Sequence, residues 1–107
     1  MSPERGIDEE HEALMIGLIF MLAESAWTSL GKRVNPVTGK EEVSLPAARA
    51  MIDTLGALKE RTSGNLKDRE RSLLENQLTN LRLNYVEVLK AEQSQKPEEP
   101  ASGVAGG

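Results

Sequence analysis

Ala13-Leu14-Met15-Ile16-Gly17-Leu18-Ile19-Phe20-Met21-Leu22-Ala23 is a run of eleven residues without one charged or polar side chain. It is too long for an ordinary buried strand and lacks the alternation of a half-buried one, so it reads as a helix. Asp8-Glu9-Glu10 precede it and place negative charge where a helix N-terminus favours it. Ala26, Trp27 and Leu30 continue the pattern, and Gly31 is positioned to cap the end. The reading predicts a first helix from about residue 8 to residue 30, about six turns long.

Within that helix Glu10, Gly17, Glu24 and Gly31 recur every seven residues and fall near one line. Apolar side chains occupy most of the remaining circumference, which is much wider than the ~100° stripe of an ordinary surface helix. Two neighbouring helices cannot cover such an arc. Each large side chain left in water forfeits roughly 1.5–3 kcal/mol of burial. A second copy of the chain is the favoured cover, through Leu14, Leu18 and Phe20 or Met21. A membrane surface is the alternative, although the run is shorter than the ~20 residues needed to span a bilayer and its extension meets Glu24 and Ser25.

Upstream, residues 1–7 form a short polar lead-in, and the stretch from Met1 to Glu10 is acidic just before the apolar run, unlike the basic start of a secretory signal. Downstream, residues 32–43 carry Asn35-Pro36 and Thr38-Gly39, which mark a loop or a minimal hairpin. Ser44 is suited to cap a second helix over residues 45–61, and Pro46 falls in its first turn, where a missing N–H removes no helical bond. Ala48, Met51, Ile52, Leu55 and Leu58 share one stripe of that helix.

Thr62-Ser63-Gly64-Asn65 then supplies a turn with a left-handed position. A third helix starts near Lys67 or Asp68, with Leu74, Leu78, Leu81, Tyr85 and Val88 in a heptad seam. Residues 94–107 contain two prolines and three glycines with few large apolar groups, so a disordered tail is expected. The predicted organisation is one all-α domain over residues 8–93, comprising a long apolar helix, a turn-rich loop and a helical hairpin, assembled as a dimer or larger bundle.

Composition agrees with this class. The 107 residues are 38% hydrophobic but only 3% aromatic, so the core must be largely aliphatic. The absence of cysteine removes disulfides, thiolate metal sites and thiol nucleophiles, and suits a reducing cytosol. A net charge of -4 gives no global field that would gather nucleic acid.

No catalytic constellation emerges. The sole histidine, His11, shares a face with Asp8 and Glu12, a spacing compatible with a metal but explained equally by a solvated acidic first turn. The serines lack a histidine or lysine partner at fixed spacing, and no glycine-rich phosphate loop precedes a helix. Lys59, Arg61, Lys67, Arg69 and Arg71 cluster near the second turn, but Glu60, Asp68 and Glu70 are interleaved and no aromatic stands nearby to stack on a base. The residues therefore predict no catalytic site, no cofactor and no metal.

Four motifs, in order, carry a family resemblance: Asn35-Pro36-Val37-Thr38-Gly39; Leu45-Pro46-Ala47-Ala48-Arg49 with Ile52-Asp53 and Leu55; Thr62-Ser63-Gly64-Asn65-Leu66; and Leu81-Arg82 with Tyr85-Val86. Over about residues 13 to 90 the chain resembles the bacterial family catalogued as domain of unknown function eighteen-forty-four. It departs from the pattern at Lys67-Asp68-Arg69-Glu70, where the family opens its last helix with a Thr followed by acidic residues. The resemblance implies a compact bacterial helical protein and supplies no activity, substrate or cofactor. Residues and resemblance together lead to a cytoplasmic, non-enzymatic interaction protein that self-associates through its first helix and engages an unknown protein partner. Peripheral membrane binding through the same helix is the alternative, and nucleic acid is not favoured.

Overall fold

A computed structural model describes residues 3–95 of the chain. Three helices account for most of it: α1 (Pro3–Ser29), α2 (Leu45–Arg61) and α3 (Asp68–Gln95). Between α1 and α2 a small antiparallel hairpin is formed by β1 (Leu30–Val34) and β2 (Glu41–Val43). The all-α class is as expected.

The first helix starts earlier than its acidic turn suggests. Pro3 stands at its first position, where a fixed φ is already helical and the missing N–H belongs to a group without an intrahelical acceptor. Much of the expected lead-in is therefore helical. At the other end the chain leaves the helix at Ser29, and Gly31 takes φ +78 inside β1. The left-handed backbone favours glycine at position 31, and a Cβ there would stand 2.8 Å from Val43 Cγ2, so the side chain of the crossing strand would have to shift for any other residue. The register slips between the Leu30↔Val43 and Val34↔Glu41 pairs, and this irregularity accommodates Gly31.

The hairpin tip follows its turn residues. Asn35 Oδ1 accepts from the Val37 N–H at 2.8 Å, the Gly39 N–H donates to the Asn35 carbonyl at 2.8 Å, and Gly39 has φ +73. Ser44 N–H donates to the Ser29 carbonyl, which ties the start of α2 to the end of α1. The Ser44 hydroxyl caps α2 by accepting from Ala47 N–H at 3.4 Å, with Pro46 in the first turn as anticipated.

Gly64, at φ +82, turns the chain from α2 into α3. The start of α3 resolves the departure at Lys67-Asp68-Arg69-Glu70. Glu70 is buried and its carboxylate accepts from the Lys67 N–H at 2.5 Å, so the reach-back half of a capping box serves without a Thr or Ser at the cap. The third helix continues through Gln95, so Ser94 and Gln95 are helical; the rest of the expected tail lies outside the described residues.

One core joins the elements. Leu74, Leu78 and Leu81 of the seam are fully buried, and they meet Ala48, Ile52 and Leu55 of α2. The contribution of α1 is Ile19, Ala23 and Ala26, spaced four and three apart, followed by the buried Leu30 of β1. Two alanines on that line let neighbouring helices come close, since interaxial distance follows the size of the side chains at the contact. Met15, Leu22 and Trp27 pack at its border.

Candidate functional site

With Ile19, Ala23 and Ala26 turned inward, the opposite side of α1 is left in solvent. Ile7 is 50% exposed, Leu14 69%, Leu18 39% and Met21 69%. At about 100° per residue these four side chains lie within about 60° of one another, with Leu14, Leu18 and Met21 adjacent and Ile7 set off from them by Glu10 and His11. All four residues expected at a contact between copies are exposed, but not on one line. Phe20, 46% exposed, stands about 100° round from Met21, beyond the line of Glu10, Gly17 and Glu24. The stripe itself is Ile7, Leu14, Leu18 and Met21. Ile7 was not expected there because the helix start was placed after it, although its spacing of seven from Leu14 is legible in the sequence.

Gly17 borders this face, on the line of Glu10 and Glu24. A Cβ built on it would find no atom within 4 Å, so nothing in the fold requires a glycine there. A glycine inside a helix destabilises it by roughly 0.5–1 kcal/mol relative to alanine.

The polar groups around the stripe are organised. Glu24 pairs with Arg33 of β1, Nε to Oε1 at 3.1 Å and Nη2 to Oε2 at 3.4 Å. The same guanidinium lies 6.0 Å from the centre of the Trp27 ring, and the indole N–H donates to Gln77 Oε1 at 3.0 Å. The half-buried Trp27 is thus held on both sides, by β1 and by α3.

At the N-terminal end, Asp8 pairs with Lys67 and connects the first turn of α1 to the start of α3. The Asp8 carboxylate raises the Lys67 pKa above its ordinary 10.5, by a hydrogen bond first and by Coulomb attraction second. A cleft of about 280 Å³ beside this pair includes His11, Glu12 and Glu70. Among the described residues, no three His, Asp or Glu side chains converge in a way that could hold a metal ion.

The basic cluster at the second turn is divided among carboxylates. Lys67 faces Asp8 and Arg71 faces Asp68, while Lys59 and Arg71 line a small cavity of about 120 Å³ together with Glu60 and Glu75. A second groove of about 280 Å³ between α2 and α3 is lined by Arg49, Ile52, Asp53, Arg82, Tyr85 and Val86. Two of the segments that carry the family resemblance meet there, and Arg49 forms a loose ion pair with Asp53 at 3.8 Å. The Arg82 head rests over Gly56, where a Cβ would be 3.2 Å from its Nη2.

By length and composition alone, Gly6–Ser29 is apolar enough to cross a membrane, and little of it is buried within the chain. No curated protein and no solved structure matches this chain. Residues 12–87 match the family described as Domain of unknown function (DUF1844), which takes in the apolar run of α1, the hairpin, all of α2 and α3 as far as Glu87, and the chain belongs to that family.

Proposed function

We propose that this protein is a non-enzymatic helical interaction protein of the cytoplasm that self-associates through α1 and presents its loops and charged faces to another protein. The observation that carries this reading is the exposed stripe of Ile7, Leu14, Leu18 and Met21 on a helix whose other side already supplies the core. Each such side chain contributes roughly 1.5–3 kcal/mol when fully buried, and part of that is already realised in the single chain. Four from each of two copies contribute on the order of 10 kcal/mol, against an association cost of about 4–15 kcal/mol. The assembly is therefore expected to depend on concentration.

Light scattering and sedimentation of the wild type and of Leu18→Glu test it. The wild type should be a dimer or larger in the micromolar range, and the variant a monomer with unchanged helical content, because Leu18 is already partly exposed in the single chain. A carboxylate placed in the contact would have to be desolvated there. Peripheral membrane binding is the second reading, favoured by the length and apolarity of Gly6–Ser29. Liposome flotation separates the two: a wild-type monomer that floats supports the membrane reading, and a monomer that ignores liposomes refutes both.

A further inference from the structure

We infer that the groove between α2 and α3 is the docking site for an acidic amphipathic helix of a partner protein, which sets carboxylates on Arg49 and Arg82 and an apolar side chain between them. This rests on the reading of the chain as an interaction protein and names the surface and the chemistry of the partner. The residues that line the groove all come from α2 and α3, so the site is separate from the face of α1.

The floor and the rim differ in chemistry. Ile52 is buried, Tyr85 is half-buried and Val86 is exposed, which gives the groove an apolar base with an aromatic edge. Arg49 and Arg82 stand at its rim. Arg49 meets Asp53 through Nε at 3.8 Å, too long for a hydrogen bond, and both side chains are largely in solvent. Among the described residues no carboxylate pairs with Arg82. Two guanidinium groups against one carboxylate leave a positive rim on a chain whose net charge is -4. That local excess runs against the charge of the whole chain and is complementary to an acidic partner.

Arg82 is also seated. A Cβ at Gly56 would stand 3.2 Å from its Nη2, the one atom within 4 Å beyond the adjoining turns of α2. Glycine weakens a helix interior, so its place in α2 is explained by the room it gives this side chain. Gly56 lies seven residues beyond Arg49, and Arg49 leans toward Asp53, so the two guanidinium groups stand about one to two helical turns apart along α2. One helix can present two carboxylates at that spacing with an apolar residue between them on the same face. At about 280 Å³ the groove is smaller than the ~300–1,000 Å³ typical of small-molecule sites, which favours a few side chains of a macromolecule. Arg and Tyr are residues that dominate protein contacts, whereas two cations beside Asp53 are few for a phosphate backbone.

Fluorescence anisotropy with labelled helical peptides tests the site. Each peptide has about 20 residues, long enough to be helical, with a leucine between two glutamates set one turn or two turns apart. At least one of the two should bind saturably below about 1 mM, and exchange of its glutamates for glutamines should weaken it at least about tenfold. The double variant Arg49→Gln with Arg82→Gln should lose about the same tenfold at unchanged helical content, because both side chains are exposed. Gly56→Ala keeps every charge and should also weaken binding, since the methyl displaces the Arg82 head. Saturable binding by neither peptide, equal binding of the glutamine forms or an undiminished double variant would overturn the inference. So would tighter binding of a single-stranded oligonucleotide, or displacement of the peptide by equimolar inorganic phosphate. Light scattering on the same samples keeps the two readings apart: a monomer that binds the acidic peptide refutes self-association alone, and a dimer that does not bind it refutes the groove alone.

Discussion

Replacing glycine by alanine at positions 17 and 31 should shift stability in opposite directions. At Gly17 the backbone is helical and the added methyl meets nothing within 4 Å. Alanine therefore gains helix propensity without a clash, worth about 0.5–1 kcal/mol. At Gly31 the backbone has φ +78, and the new Cβ would be 2.8 Å from Val43 Cγ2. Left-handed strain contributes about 1–3 kcal/mol of destabilisation there, and half-exposed Val43 can move to relieve part of the overlap. For a domain of this size 1 kcal/mol corresponds to roughly 4–8 °C in Tm, so Gly17→Ala should raise Tm by about 2–8 °C and Gly31→Ala should lower it by about 4 °C or more. Thermal unfolding followed by circular dichroism must be done at dilute protein, where association adds nothing. A fall in Tm for the dilute Gly17→Ala variant would show that Gly17 is required within the fold and would refute the reasoning.

Three further outcomes follow from named contacts. Asp8→Asn should return the Lys67 titration toward 10.5, as followed by NMR of its ammonium group. The pair's contribution to stability is present below 10.5 and lost as pH rises through the raised folded value, so an unchanged titration would mean that the pair does not form. Gln77→Ala should leave the half-buried Trp27 indole N–H without its acceptor and reduce stability by about 1 kcal/mol, with a shift in the emission of this sole tryptophan; unaltered emission and stability would contradict the contact. Leu78→Ala, at a fully buried seam position, should cost about 2–5 kcal/mol, whereas Leu83→Ala on the exposed side of the same helix should stay within about 0.5 kcal/mol in urea unfolding.

Helix boundaries and turns were largely legible because they depend on local chemistry. Ser44 and Pro46 mark the start of α2, Gly64 marks its turn, and the seam from Leu74 to Val88 identifies the inner face of α3 by spacing alone. Asn35-Pro36 and Thr38-Gly39 marked a reversal, but the hairpin needed Leu30 and Val43 to find each other across it. The capping of α3 was hidden because its residue types depart from the familiar pattern, and only the folded chain brings the Glu70 carboxylate back to the Lys67 N–H.

The decisive ambiguity lay in α1. Its eleven apolar residues determined that some of them must remain uncovered by two neighbouring helices, and periodicity placed Glu10, Gly17 and Glu24 on one line. Hydrophobicity so nearly uniform around a helix cannot say which side faces inward. Tertiary packing chose Ile19, Ala23 and Ala26, because two small residues on one line allow the close approach of α2 and α3 that larger ones would prevent. That choice left Leu14, Leu18 and Met21 outside, added Ile7 to them, and set Phe20 apart. The sequence alone required an uncovered apolar face; which face it is depends on the fit of side-chain volumes between helices distant in the chain.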